Sequence, residues 1–497
     1  MKALFSKVSL RNIRIVLTLC AMGILFPFFF SAYTSPLYPG FHGADSAIFM
    51  TMGRAVVEGK TLYTDIFDIK GPMIFFINAL GQWIYNGRLG TFLIQTIFMI
   101  FTVFGMYKTA RLFVSTVKAF LVVFLSLLVL TATYERGNLT EEYSLAFIFP
   151  AIYCSCRYWK EGKKVHPTGF SLVYGLSFGL LTWTRINNAA VIGAIVFYIY
   201  LTILFRKRWY EFGRNLLFFL IGVLAVSIPI IFYFWIKGAL SEMLYGTFVF
   251  LFSYAQNGIM TRPGWKWAWT LKNVSPALGV IFVSVVYSRS INKYLGQMIG
   301  LSTLLTAVAL LFGMNYLHYY MILTPVFLTA LSMTFEIWTY WYRERKISWL
   351  LPLLAGLGIA FVLYVNYQPV KSYIRKMYYD RTKPIYLEEV KKYLEQAEMI
   401  PEADRDSVWG FNINPSWYYV VDILPSFKYF INQGQQIMID PDMEQEIVDM
   451  LDVNPPKWIA ASVGAADSFE ELSDLLDREY KMVSDSANIQ LFQHIIE

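Results

Sequence analysis

The chain has 497 residues, 56% of them from the set AVILMFWYC and only 15% charged, with a mean hydropathy of +0.46. Soluble globular chains run at about 45–50% apolar and about 25% charged, so a wholly soluble protein is excluded, and so is a disordered, collagenous or coiled-coil chain. The formal charge of +7 conceals a division: residues 368–497 carry 12 basic and 23 acidic side chains, whereas the rest carries 30 basic and 12 acidic. Basic cytoplasmic loops on a multi-pass membrane protein account for that balance and give no reason to invoke nucleic acid.

Taken in chain order, the first element reads as a signal anchor. Lys2, Lys7, Arg11 and Arg14 precede an apolar run from Ile15 to Tyr33, and no small-residue cleavage site follows. A bilayer core about 30 Å thick needs roughly 20 apolar residues in a helix. Eleven segments are predicted to span it: 13–33, 91–110, 118–134, 143–159, 168–184, 189–205, 215–236, 269–287, 297–314, 320–341 and 348–366. The run Pro72–Tyr85 is apolar but short, and is expected to lie in the interface or re-enter. With that assignment and the N-terminus inside, 20 basic residues fall on inner segments and 10 on outer loops, as the positive-inside rule requires. Eleven spans then place residues 367–497 outside, as a domain distinct from the membrane domain 1–366. Cys20, Cys154 and Cys156 all lie in apolar segments and the acidic tail has none, so an exported tail without disulfides points to a bacterial plasma membrane.

Acidic residues contribute little to topology, yet eight of the twelve before residue 368 fall on outer segments: Asp45, Glu58, Asp65, Asp68, Glu135, Glu141, Glu142 and Glu242. The first outer loop holds four of them. Ile48, Phe49, Met52, Ala55 and Val56 keep helical spacing, which predicts an amphipathic helix along the membrane surface that also carries Arg54. Asp45 precedes this helix, where an N-cap would be the local explanation. Beyond it come Tyr63, Asp65 and Asp68, which with Arg54 are candidates for contact with a substrate, and then Lys70. Asp65 and Asp68, at i and i+3, leave a divalent metal open, although nothing in their spacing requires one.

In the second outer loop Thr140 is expected to cap a helix whose first turn holds Glu141 and Glu142. Arg185 interrupts two apolar runs, and a guanidinium at that depth faces a cavity or a partner. His318 and Tyr319 lead into a later span; an aromatic belt explains the tyrosine better than the histidine. Carboxylates, a lysine, an arginine and a histidine thus gather on one side of a helical bundle. That pattern favours a polar reaction chamber able to take an anion.

The tail alternates strands and helices. Helices are predicted over 387–398, 443–451 and 469–476, and strands over 407–411, 457–461, 481–483 and 489–494, a small α/β domain without a glycine-rich phosphate loop.

At Asp45, at Phe67-Asp68-Ile69-Lys70-Gly71-Pro72, at Leu139–Tyr143, at His318-Tyr319-Tyr320 and at the exported Val408-Trp409-Gly410, the chain resembles the GT-C superfamily of membrane glycosyltransferases. The branch is that of the protein O-mannosyltransferases and lipid A aminoarabinose transferases. The resemblance implies a mainly α polytopic bundle with interfacial helices after the first span and a small extracytoplasmic domain. It implies a polyprenyl-phosphate sugar as donor and a glycan, lipid or protein as acceptor, with membrane lipid as the surrounding partner. By the same resemblance Asp45 is the general base, Lys70 binds the donor phosphate with Gly71 between it and the proline, and Glu141 or Glu142 is the second-loop acid. Arg185, His318 and Tyr319 are placed near the donor phosphate by position and chemistry. Transfer would be an in-line attack that inverts the sugar; a double displacement, which needs two carboxylates about 5–5.5 Å apart, stays open at this level. A flippase for lipid-linked sugars, or a glycan polymerase or ligase, remains the alternative at this level.

Overall fold

The computed structural model describes residues 10–38, 43–261, 264–311, 316–344 and 385–495, with isolated positions between 360 and 375. The helices used below are α1 (Leu10–Phe30), α2 (Ala44–Val57), α3 (Pro72–Ile84), α4 (Arg88–Ala110), α5 (Thr116–Leu130), α6 (Thr140–Lys160), α7 (Thr168–Thr184), α8 (Ala190–Phe205) and α9 (Trp209–Ile236). They continue with α10 (Leu240–Leu244), α11 (Leu251–Thr261), α12 (Gly264–Tyr287), α13 (Lys293–Leu310) and α14 (Thr324–Arg343). Ten of the eleven predicted spans are therefore helices; the last, 348–366, lies almost wholly outside the described residues, as do Lys2 and Lys7. Among the described residues six helices are long and apolar enough to cross a membrane. The chain is a multi-pass membrane protein. α6 has the length but begins with Glu141 and Glu142 and ends with Arg157 and Lys160, while α5 has only 15 residues.

The chain divides into two compact units. The first comprises Met1–Ser31, Gln95–Ile230 and Gly258–Ile374; the second comprises Ala32–Ile94, Ile231–Asn257 and Arg375–Glu497. In the first unit α8 packs on α13, α6 on α7 and α12 on α14, around buried Val122, Leu145, Ile148, Ile195, Leu295 and Val326.

The second unit joins the first outer loop to the tail. α2 and α3 form its most extensive helix pair, so the apolar stripe of α2 (Ile48, Phe49, Met52, Ala55) is buried against protein. The two backbones meet at Gly53, where an added Cβ would come within 2.7 Å of the Ala79 nitrogen. α3 starts as the sequence dictates, with Gly71 as N-cap and Pro72 in the first turn, where its missing N–H removes no helical bond. The tail supplies α15 (Ile385–Glu398), α16 (Ser416–Val421), α17 (Gln433–Ile439), α18 (Asp442–Val453) and α19 (Glu470–Glu479). Its strands β1 (Val408–Phe411), β2 (Trp458–Ser462), β3 (Tyr480–Ser486) and β4 (Ile489–His494) form one sheet in the order β1-β2-β4-β3. β1 and β2 are parallel and the other pairs antiparallel. The β3–β4 connection is Ala487-Asn488, both at positive φ, the geometry that matches a two-residue hairpin to strand twist. Every tail strand and helix expected from sequence is present; α16 and α17 were not foreseen.

Candidate active site

In the second unit, Asp45 occupies the first turn of α2 but is not its cap. Gly43 takes the N-cap position in an extended conformation, with no side-chain cap bond. The carboxylate, placed where the helix dipole favours a negative group, lies 3.6 Å from the Lys70 ammonium. Lys70 also lies 3.1 Å from Asp68. Side-chain exposure separates the two acids: Asp45 is 38% exposed, Asp68 5% and Lys70 15%. Lys70 is thus anchored mainly on a buried carboxylate, and its ammonium stands 5.2 Å from the centre of the Phe49 ring, close enough for a cation–π contribution.

The segment before Lys70 is folded tightly enough to fix that lysine. Tyr63, at φ 72, donates its hydroxyl to the Lys70 carbonyl at 2.7 Å, and its ring packs on Phe67, Phe75 and Phe234. Burial holds that hydroxyl protonated well above the usual tyrosine range. Asp65 accepts from the Thr61 backbone N–H at 2.7 Å. The Phe67 N–H donates to the Lys428 carbonyl, Lys60 donates to the Pro425 carbonyl at 2.7 Å, and Arg54 pairs with Glu58 and Asp422, each at 2.5 Å. Arg54, Tyr63 and Asp65 therefore tie the loop to itself and to the tail, while Asp45, Asp68 and Lys70 form one charged cluster.

In the first unit, Leu139 rather than Thr140 is the N-cap of α6, and Thr140 donates instead to Glu141 at 2.8 Å. Glu141 and Glu142 follow, both buried, and diverge in use. Glu142 receives the Tyr134 hydroxyl, the Asn138 N–H at 2.7 Å and the Gln95 amide at 2.8 Å. It thereby closes the run Glu135-Arg136-Gly137-Asn138, four consecutive residues at positive φ. Left-handed backbone costs about 1–3 kcal/mol at each non-glycine position, so this loop needs the clamp. A Cβ on Gly137 would sit 2.3 Å from the Ser31 hydroxyl, leaving no room for another residue. Glu141 accepts instead from Arg185 at 2.9 Å, and that guanidinium lies 3.9 Å from the centre of the Tyr319 ring. His318 Nδ1 lies 2.5 Å from Glu135, with the Tyr316 ring stacked beside the imidazole. Among the described residues no group of three His, Cys, Asp or Glu side chains is placed to hold a metal ion.

No protein-family model matches the chain, and no curated protein matches it. Solved structures do. ArnT from Cupriavidus metallidurans bound to undecaprenyl phosphate is 10% identical, with a TM-score of 0.62 over 97% of this chain and 98% of that one. Its apo form is 12% identical, with a TM-score of 0.60 over the same shares. The chain has the fold of these ArnT structures.

Within this fold the residues singled out from sequence fall into groups. Asp45, Lys70 and Asp68 meet in one unit; Glu141, Arg185 and Tyr319 meet in the other, with His318 paired to Glu135 there. The sequence singles out Glu135 only as one of eight outer acids, and does not single out Tyr134, Gln95 or Asn138. The turn-forming Glu-Arg-Gly-Asn run was the one available signal, since its residue types tolerate left-handed backbone.

Proposed function

We propose that the chain is a glycosyltransferase of the bacterial plasma membrane that moves a sugar from a polyprenyl-phosphate donor to an acceptor hydroxyl on the extracytoplasmic side. The observation that supports this most is the pairing of an accessible carboxylate, Asp45, with a lysine anchored on a second, buried one, Asp68, in a chain with the GT-C fold. The acceptor oxygen attacks the anomeric carbon, its proton passes to Asp45, the bond from that carbon to the phosphate oxygen breaks, and polyprenyl phosphate leaves. The anomeric configuration inverts. Lys70 stabilises charge developing on the leaving phosphate. On the same reading Arg185, His318 and Tyr319 are donor contacts, Glu141 positions Arg185, and no step is assigned to a metal. The acceptor is a cell-surface glycan, lipid or protein.

Lys70→Ala is expected to weaken binding of a polyprenyl-phosphate sugar and slow its transfer, because it removes the cation while Asp68 stays buried without its partner. Titration of the donor against purified variant and parent measures this, and an unchanged profile rejects the phosphate-binding role. The orientation has its own test. Ser426 is exposed, so Ser426→Cys is expected to react with an impermeant thiol reagent added to intact cells or spheroplasts. Protection until the membrane is broken would reverse the proposed sidedness.

A further inference from the structure

The first unit carries a second place suited to an anion, at the end of the α8–α13 pair. α8 ends at Phe205 with Arg206 as its C-cap, and α13 begins at Lys293, so these packed helices bring both cations to one end. Between them runs a groove of about 580 Å³ lined by Tyr198, Leu201, Arg206, Tyr294, Gln297 and Leu301. Its head is polar and its far end apolar: Leu301 is eight residues into α13, about 12 Å along the axis at 1.5 Å per residue.

Charge separates this place from its surroundings. Nearby Arg157, Lys160, Lys163 and Arg208 are each paired with a glutamate. Among the described residues Arg206, Lys207 and Lys293 form no ion pair with a carboxylate. Arg206 instead lies over the rings of Tyr294 and Trp159, at 5.0 and 5.7 Å from their centres, and those two rings are themselves stacked. The guanidinium is also within hydrogen-bonding reach of the Tyr158 and Tyr294 hydroxyls, and the rest of its five N–H donors suit phosphate oxygens. The buried Trp159 indole N–H, in the same stack, has no acceptor among the described residues, and buried donors rarely go unmatched.

We propose that this groove seats an anionic phospholipid, its phosphate on Arg206 and an acyl chain along Leu201 and Leu301. Arg206, and Lys293 beside the Tyr294 ring, select an anionic headgroup, and the apolar far end selects a lipid over a free anion. Binding is measured on the detergent-solubilised full chain with phosphatidylglycerol, phosphatidylcholine and inorganic phosphate as probes. The expected result is preference for phosphatidylglycerol over phosphatidylcholine, with affinity for it reduced about five-fold by Arg206→Gln, the worth of one interfacial cation. Leu301→Trp, which narrows the groove and leaves every charge in place, is expected to weaken it likewise and serves if Arg206→Gln does not fold. Equal binding of the two lipids, displacement of phosphatidylglycerol by an equal concentration of inorganic phosphate, or undiminished affinity in the folded variants overturns the proposal.

Discussion

Asp45→Asn is expected to lower the transfer rate by roughly 10²–10⁴, the usual worth of a positioned general base, while donor affinity stays within a few-fold of the parent. Asparagine has nearly the same shape as aspartate and still offers an oxygen to Lys70, but it does not take up the acceptor proton at neutral pH. Lys70 keeps its shorter contact, the one to Asp68 at 3.1 Å, so the group assigned to the donor phosphate is held where it was. The effect therefore belongs in the chemical step, and single-turnover transfer from prebound donor reads it separately from binding. Asp68→Asn makes the contrast. It loosens the anchor of Lys70, and its main effect should be on donor affinity. A variant at Asp45 that transfers at the parent rate removes the base assignment.

Arg185→Ala and Glu141→Ala are each expected to destabilise the protein by about 3–5 kcal/mol, because each removes one half of a buried, hydrogen-bonded ion pair. The side chains are 10% and 1% exposed and joined at 2.9 Å, and Tyr319 covers the guanidinium face. Replacing both should destabilise less than the two single changes taken together, since no orphan charge remains. Thermal unfolding of the purified variants in one detergent measures the cycle. Strict additivity would mean that the contact contributes nothing. Transfer should fall in Arg185→Ala even at temperatures where the variant is folded. A folded variant with full activity would leave Arg185 a structural role alone.

Much of this arrangement was legible in the sequence, for identifiable reasons. Apolar runs of bilayer length mark helices whatever packs around them, and all ten predicted spans within the described residues are helical. The tail read well because its strands are short, apolar and bounded by turn residues. Lys70 stood out through the Phe67–Pro72 element, and Gly71-Pro72 also carries the start signal of α3. Caps were misplaced by two residues at Asp45 and by one at Thr140. Cap position depends on which residue turns extended, and Gly43 and Leu139 do so without a side-chain bond to announce it. The division of labour between Glu141 and Glu142 was illegible for another reason. Adjacent carboxylates in one first turn look alike locally, and Gln95 and Arg185, more than forty residues away on either side, set them apart. The joining of the first outer loop to the tail rests likewise on Arg54–Asp422, on the Lys60 ammonium at the Pro425 carbonyl and on the Phe67 N–H at the Lys428 carbonyl, pairings with no local periodicity.

Purified full-length protein, supplied with a polyprenyl-phosphate sugar and the glycan and lipid fraction of the cell envelope, decides whether the donor is as assigned. The expected outcome is the sugar on an acceptor with its anomeric configuration inverted, one free polyprenyl phosphate for each sugar moved, and neither product in comparable yield from Asp45→Asn. Sugar that stays on its lipid, or moves with its configuration retained, would contradict it.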